Sequence, residues 1–174
     1  MNARAAHLIA ALGLTPHPEG GYYRELYRAT GMVRPEDGRP PRPALTTIYF
    51  LLAAGQVSCW HRVLSDEVWH HYEGAPLELR VTDGQPAAGG GAPGRRVLVG
   101  PVAAIGDAAS PASTMPVFTV PAGWWQAARS TGAYTLVGCT VGPGFDFADF
   151  AMLRDVPDAQ AAVLGSDPEA ARFL

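Results

Sequence analysis

Imidazole, carboxylate and amide side chains gather in two short stretches of this chain. The first runs His61-Arg62-Val63-Leu64-Ser65-Asp66-Glu67-Val68-Trp69-His70-His71-Tyr72-Glu73-Gly74, and the second runs Pro121-Ala122-Gly123-Trp124-Trp125-Gln126. A histidine beside a carboxylate has its tautomer fixed and its pKa drawn into the range where protons move near neutral pH. The same groups could instead ligate a borderline metal, which prefers imidazole or thiolate.

Strand alternation sorts the candidates, because every second residue of an extended chain shares a face. If Glu67 points inward, so do Trp69 and His71. His61 shares a face with Val63, Gln126 with Trp124, and Tyr49 with Thr47 and Leu51. The expected pocket therefore holds His61, Glu67, His71, Gln126 and Tyr49, walled by Val63, Trp69 and Trp124. For proton removal next to a carbonyl, His61 or His71 serves as the base, Glu67 orients it, and Tyr49 or Tyr72 is the donor. The same set also describes a small-molecule pocket with no turnover, since aromatic walls with a few polar anchors suit any ligand site. In a metal reading His61, Glu67 and Gln126 hold zinc, manganese, iron or nickel, with water completing the shell. No cofactor is firmly required.

These side chains need a rigid β scaffold, and the pattern supplies one. Tyr22 to Arg28, Leu45 to Leu52, Val57 to Val63, Glu67 to Tyr72, Leu77 to Thr82, Arg96 to Val99, Val117 to Val120, Trp124 to Ala128 and Tyr134 to Val141 read as strands separated by Gly/Pro turns. Helical spacing is confined to the ends, at about 3–12 and 157–173, with Asp167-Pro168 interrupting the second. The set predicts an all-β sandwich or barrel with short terminal helices: one domain over 1–174, its core at about 20–152. Thr30 to Pro43 reads as a surface loop, and residues 83–94, nearly all Gly, Ala and Pro, as a mobile hairpin loop.

Composition narrows the partners. Apolar residues make up 48% and charged residues 17%, and the net charge is −3. All 13 basic residues are scattered arginines, so no clustered cationic face exists for nucleic acid. No apolar run approaches the roughly 20 residues that span a bilayer. Two cysteines, Cys59 and Cys139, make no disulfide framework, which suggests a reducing, cytoplasmic setting; Cys139 reads as a buried, inert thiol.

Two further segments are ambiguous. The loop His17-Pro18-Glu19-Gly20-Gly21 could cap a pocket with Glu19 reaching in, but its turn chemistry favours a simple turn before an intersubunit strand. Phe145 to Phe150 carries aromatics at a spacing that suits core or interface.

The two opening stretches resemble the signature motifs of the cupin superfamily. Glu67 and Gly74 keep the first motif's spacing and His61 stands at its first histidine, while Val63 replaces the second. Pro121 and Gly123 fit the second motif, but Gln126 replaces its histidine. His17 to Glu25, Thr46 to Leu52 and Val141 to Phe150 extend the likeness over about residues 4–155, and it is similar to the Cupin_5-like branch, labelled sugar-epimerase-like. The resemblance implies a double-stranded β-helix (jelly roll), a homodimer, and His61 and Gln126 on neighbouring strands facing one interior. It also implies an isomerase or epimerase acting on a sugar or sugar-nucleotide-like ligand. The alternatives are a non-catalytic binding or sensor module and a metal-dependent cupin with a depleted ligand set.

Overall fold

The computed structural model describes residues 1–84, 94–105, 113–167 and 169–174. Strands take up 46% of it. Helix α1 (Ala3–Leu12) is followed by β1 (Thr15–Pro16), β2 (Tyr22–Arg28), β3 (Met32–Val33), β4 (Arg42–Pro43), β5 (Thr46–Ala53), β6 (Val57–Val63), β7 (Asp66–Gly74) and β8 (Leu77–Thr82). Then come β9 (Arg95–Val99), β10 (Val117–Val120), β11 (Trp125–Ser130), β12 (Tyr134–Gly142), β13 (Phe150–Met152) and α2 (Pro157–Ser166). One sheet has the order β1-β2-β5-β12-β7-β10 and the other β13-β6-β11-β8-β9, while β3 and β4 pair apart. The two unclosed sheets face one another as a jelly roll.

The main core lies between the sheets, where Phe50, Leu52, Trp69, Leu79, Val81, Val120, Val137 and Cys139 meet. Each sheet is also covered on its outer face by a terminal helix. Ala5 and Leu8 of α1 pack on Leu51 and Leu136. Val163 of α2 and the following Phe173 pack on Trp60, Trp125 and Ala127. Double cover explains why Phe50, Leu51, Leu52 and Ala53 are all buried: a strand sandwiched on both faces loses the apolar-in, polar-out alternation.

The predicted strands are found, with ends shifted by one or two residues. Three things differ. The short β1, in a segment read as turn-rich, pairs with β2. The presumed loop from Thr30 to Pro43 contains the small β3–β4 pair. Phe150–Met152 forms an unexpected edge strand on β6. The C-terminal helical segment is interrupted as expected, between α2 and a 3-10 turn at Ala170–Phe173. Most of the expected 83–94 hairpin loop, and Pro168, lie outside the described residues. Among the described residues no helix is long and apolar enough to cross a membrane.

Two bulges set the side chains that matter for the site. Against β11, the register moves from Gln126↔His61 to Ala128↔Ser58, so β6 carries one extra residue and Ser58 and His61 both reach inward. Against β12, the register moves from Leu136↔Glu73 to Val137↔His71, so Tyr72 is the extra residue of β7. Such insertions re-aim side chains without altering the pattern on either flank.

Candidate functional site

A cavity of about 380 Å³ opens between the sheets, lined by residues from the loop 17–21, β2, β5, β6, β7, β12 and the segment Phe145–Phe150. Its inner end holds Glu19, His61, Glu67 and His17; its walls include Ile48, Phe50, Val63, Cys139 and Val141; Tyr23, Phe145, Phe147 and Phe150 supply aromatic surface. Phe145, Phe147 and Phe150 contact one another edge-on at 5.0–6.0 Å between centroids. Phe150 also stacks on the His61 ring at 5.5 Å.

His61 is 2% exposed. Its Nδ1 lies 2.8 Å from the Cys59 carbonyl oxygen, which can only accept, so neutral His61 carries its proton on Nδ1. Nε2 is then a bare lone pair, and it faces Glu19 Oε2 at 3.2 Å. The Ser58 hydroxyl donates to Glu19 Oε1 at 3.0 Å. Burial pushes the Glu19 carboxyl up to about 8, opposed only by Ser58. Burial pushes His61 down, against the opposing pull of Glu67 and the Cys59 carbonyl. Both directions favour a carboxylic acid donating to a neutral imidazole over an ion pair. His17 is likewise held neutral: burial and the neighbouring His61 lower it to about 4, and its Nδ1 accepts the Glu19 backbone N–H.

Glu67 receives the Gln126 Nε2–H at 2.5 Å, and the Gln126 Oε1 accepts the Trp69 indole N–H at 2.9 Å. Burial and nearby Glu19 raise the Glu67 carboxyl, while His61, Gln126 and Cys139 oppose the rise. Burial, then Glu67 and Glu19, raise the Cys139 thiol far above its ordinary value, so this cavity-lining thiol is not a nucleophile.

His61, Glu67 and Val63 thus line one cavity, and the other expected pocket residues do not. Gln126 and Trp69 stand behind Glu67 as a buried relay. Trp124 packs against the main core. His71 keeps the inward parity of Glu67 but lies four residues, about 13 Å, farther along the strand, with its Nε2 on the Ala75 carbonyl. Tyr49 is a plain correction. It alternates with the core residues Ile48 and Phe50, belongs to the cluster under α1, and meets the ring of Tyr72 edge-on at 6.0 Å. Tyr72 follows the β7 bulge to the same outer face, where its hydroxyl fills the space a Cβ on Gly138 would need. Neither tyrosine reaches the cavity; Tyr23 does.

Glu19 is the principal addition. The 17–21 loop is folded against the sheets rather than serving as a free turn: the Cys59 N–H donates to the Glu19 carbonyl at 2.8 Å. A Cβ on Gly20 would lie 2.2 Å from the Val57 carbonyl oxygen, and both Gly20 and Gly21 have positive φ. The adjacent glycines were the available signal, because only such residues allow this backbone approach. Phe145–Phe150, expected as core or interface, forms a cavity wall.

The expected metal set does not fit. Gln126 directs its oxygen to the Trp69 indole and turns its NH₂ toward Glu67, so toward Glu67 it presents a donor rather than a metal ligand. Among the described residues, no group of three or more His, Cys, Asp or Glu is placed to hold a metal ion.

The family model described as Cupin superfamily (DUF985), Cupin_5, matches residues 6–153, and the chain belongs to this family. It is similar to a hypothetical protein from Leishmania major, at 35% identity and TM-score 0.77, with 97% of this chain and 96% of that one covered. It is also similar to protein SO0799 from Shewanella oneidensis, at 30% identity and TM-score 0.75, covering 99% and 97%. Oxalate decarboxylase from Bacillus subtilis shares the fold at 13% identity and TM-score 0.55, over 91% of this chain and 36% of that one. No curated protein matches the chain.

Proposed function

We propose that this cupin binds a small, sugar-sized molecule in the cavity and isomerises or epimerises it by proton transfer next to a carbonyl. The observation that carries the reading is the contact chain at the inner end: Glu19 on His61 Nε2, with Glu67 lining the same wall. Two buried carboxyls with raised pKa and an imidazole held neutral suit general acid–base work. Glu67 as carboxylate takes the carbon-bound proton, and the electron pair left behind forms the enol double bond. The carbonyl oxygen takes a proton from the Glu19–His61 pair, and the steps run in reverse to deliver a proton to carbon. Gln126 and Trp69 hold Glu67 in place, and the aromatic wall keeps water from the reacting carbon. The expected homodimer belongs to this proposal on the strength of β2, which β1 pairs only at Tyr22 and Tyr23; a monomeric mass by light scattering would remove it.

The test is incorporation of solvent deuterium into a panel of keto-sugars and aldoses. Wild type should label at least one compound at carbon. His61→Ala and Glu67→Gln should each lower the labelling rate about 100-fold or more while keeping a cooperative melt. Ligand binding without exchange would leave a binding module. Unfolding of His61→Ala with ligand binding intact in the folded fraction would make His61 a structural histidine.

A further inference from the structure

The cavity differs in charge from every other buried acidic site among the described residues. Glu78 is met by Arg80, Arg129 and Arg96, and Asp149 by Arg42 and Arg39. Glu19 and Glu67 have no arginine partner among the described residues; their contacts are imidazoles, a hydroxyl, an amide and a thiol. Farther out, Glu25 and Asp146 line the cavity as well. Its single arginine, Arg28, is already committed, with two nitrogens on Glu25 and a third on the Phe145 carbonyl. Four carboxyl groups therefore face the space against one spent guanidinium. An anionic ligand would find no unpaired cation to hold it, and would add to the burial cost of a Glu67 carboxylate. A cation would supply the partner that Glu19 and Glu67 lack. It would also find ring faces to rest on, since Phe145, Phe147 and Phe150 form one continuous wall and aromatic faces attract ammonium groups.

We propose that the cavity takes a ring-sized ligand carrying a protonated amine, with the ammonium between Glu67, Glu19 and the phenylalanine wall. This rests on the reading that the cavity is the ligand site. It narrows that reading away from phosphate-bearing sugars and sugar nucleotides and toward amine-bearing ones.

The experiment uses three probes of one shape: cyclohexylammonium, cyclohexanol and cyclohexanecarboxylate, titrated calorimetrically into the full chain. The ammonium should bind about tenfold or more tighter than the carboxylate, with the alcohol between. Glu67→Gln, nearly isosteric, should erase the ammonium's advantage over the alcohol, and Glu19→Gln should do the same to a lesser degree. Equal or tighter binding of the carboxylate overturns the proposal, as does an ammonium preference that survives both substitutions. So does a response to manganese or zinc chloride with none to the three probes. Amine preference without deuterium exchange keeps this inference and removes the catalytic one; exchange on an uncharged carbonyl compound without amine preference does the reverse.

Discussion

Glu78 and Asp149 on one side, and Glu19 and Glu67 on the other, are all buried carboxyl groups in one small protein, yet they have opposite surroundings. Burial alone would raise Glu78, but hydrogen bonds from Arg129 and Arg80 and the nearby charges bring it below its ordinary value. Asp149 is lowered by the Arg42 guanidinium, with Arg39 adding to it. These sites fasten structure. Glu78 and Arg80 tie the outer face of the second sheet to Asp167 beyond α2. Asp149 anchors the end of the phenylalanine wall to Arg42 at the start of β4 and to Arg39 just before it. In the cavity the carboxyls are left without a cation, and burial raises their pKa instead. Burial costs every carboxylate; the partner decides whether the result is a rivet or a proton reservoir.

The largest effect should come from breaking a rivet. Arg42→Ala leaves Asp149 buried with only Arg39 beside it. A carboxylate that loses a guanidinium partner is left with an uncompensated charge, so the loss should exceed that of an ordinary surface change, softened by the surviving Arg39 contact. Chemical denaturation of the variant should show it as a lowered midpoint with an unchanged slope. A loss under about 0.5 kcal/mol, the size of an ordinary surface change, would mean that the arginines do not distinguish the two regions.

The reservoir should appear as a pH dependence of stability. Glu19 moves from an ordinary 4.5 to about 8 in the fold, so between those values the folded protein holds a proton that the unfolded chain has released. Stability then falls as pH rises through that window. His17 moves from 6.5 to about 4. There the unfolded chain binds a proton that the fold refuses, and stability falls as pH drops from 6.5 toward 4. The two slopes oppose one another between 4.5 and 6.5, and above 6.5 the Glu19 slope is no longer opposed by His17. Melting stability should therefore decline from pH 6.5 to 8, by at most about 1.4 kcal/mol per pH unit for one proton. Glu19→Gln should flatten that limb. A wild-type profile that is flat or rising over the same range would contradict the assignment.

The smallest effects should come from Tyr49→Phe and His71→Gln. Both residues belong to the sequence-based pocket and neither lines the cavity. Ligand affinity and exchange rate should stay within about twofold of wild type, and stability within about 0.5 kcal/mol. A large loss of exchange in either variant would return that residue to the site.

These misplacements mark where sequence reasoning stops. The strands, the terminal helices and the inward faces of His61, Val63 and Glu67 follow from alternation and from motif spacing. Tyr49 could not be placed the same way, because α1 covers the outer face of β5 and makes both parities apolar. The β6 bulge adds one residue without changing composition, so Ser58 and His61 read as opposite when they face the same way. Gln126 was legible as a neighbour of Glu67, but whether its oxygen is free depends on the indole of Trp69, 57 residues away. Glu19 lies 42 positions before His61; it reaches the site only because Gly20 lets the backbone press against β6 and Gly21 against β5.

The central claim is that the cavity carboxyls titrate above their ordinary values and the riveted ones below theirs. Side-chain carboxyl shifts of ¹³C-labelled glutamate and aspartate, followed by NMR across pH and assigned with Glu→Gln and Asp→Asn variants, test it directly. Glu19 should titrate with a midpoint near 8 and Glu67 above its ordinary 4.5, while Glu78 and Asp149 titrate below their ordinary 4.5 and 3.8. If all four groups titrate together in the ordinary acidic range, the distinction between the two regions is wrong, and with it the acid–base reading of the cavity.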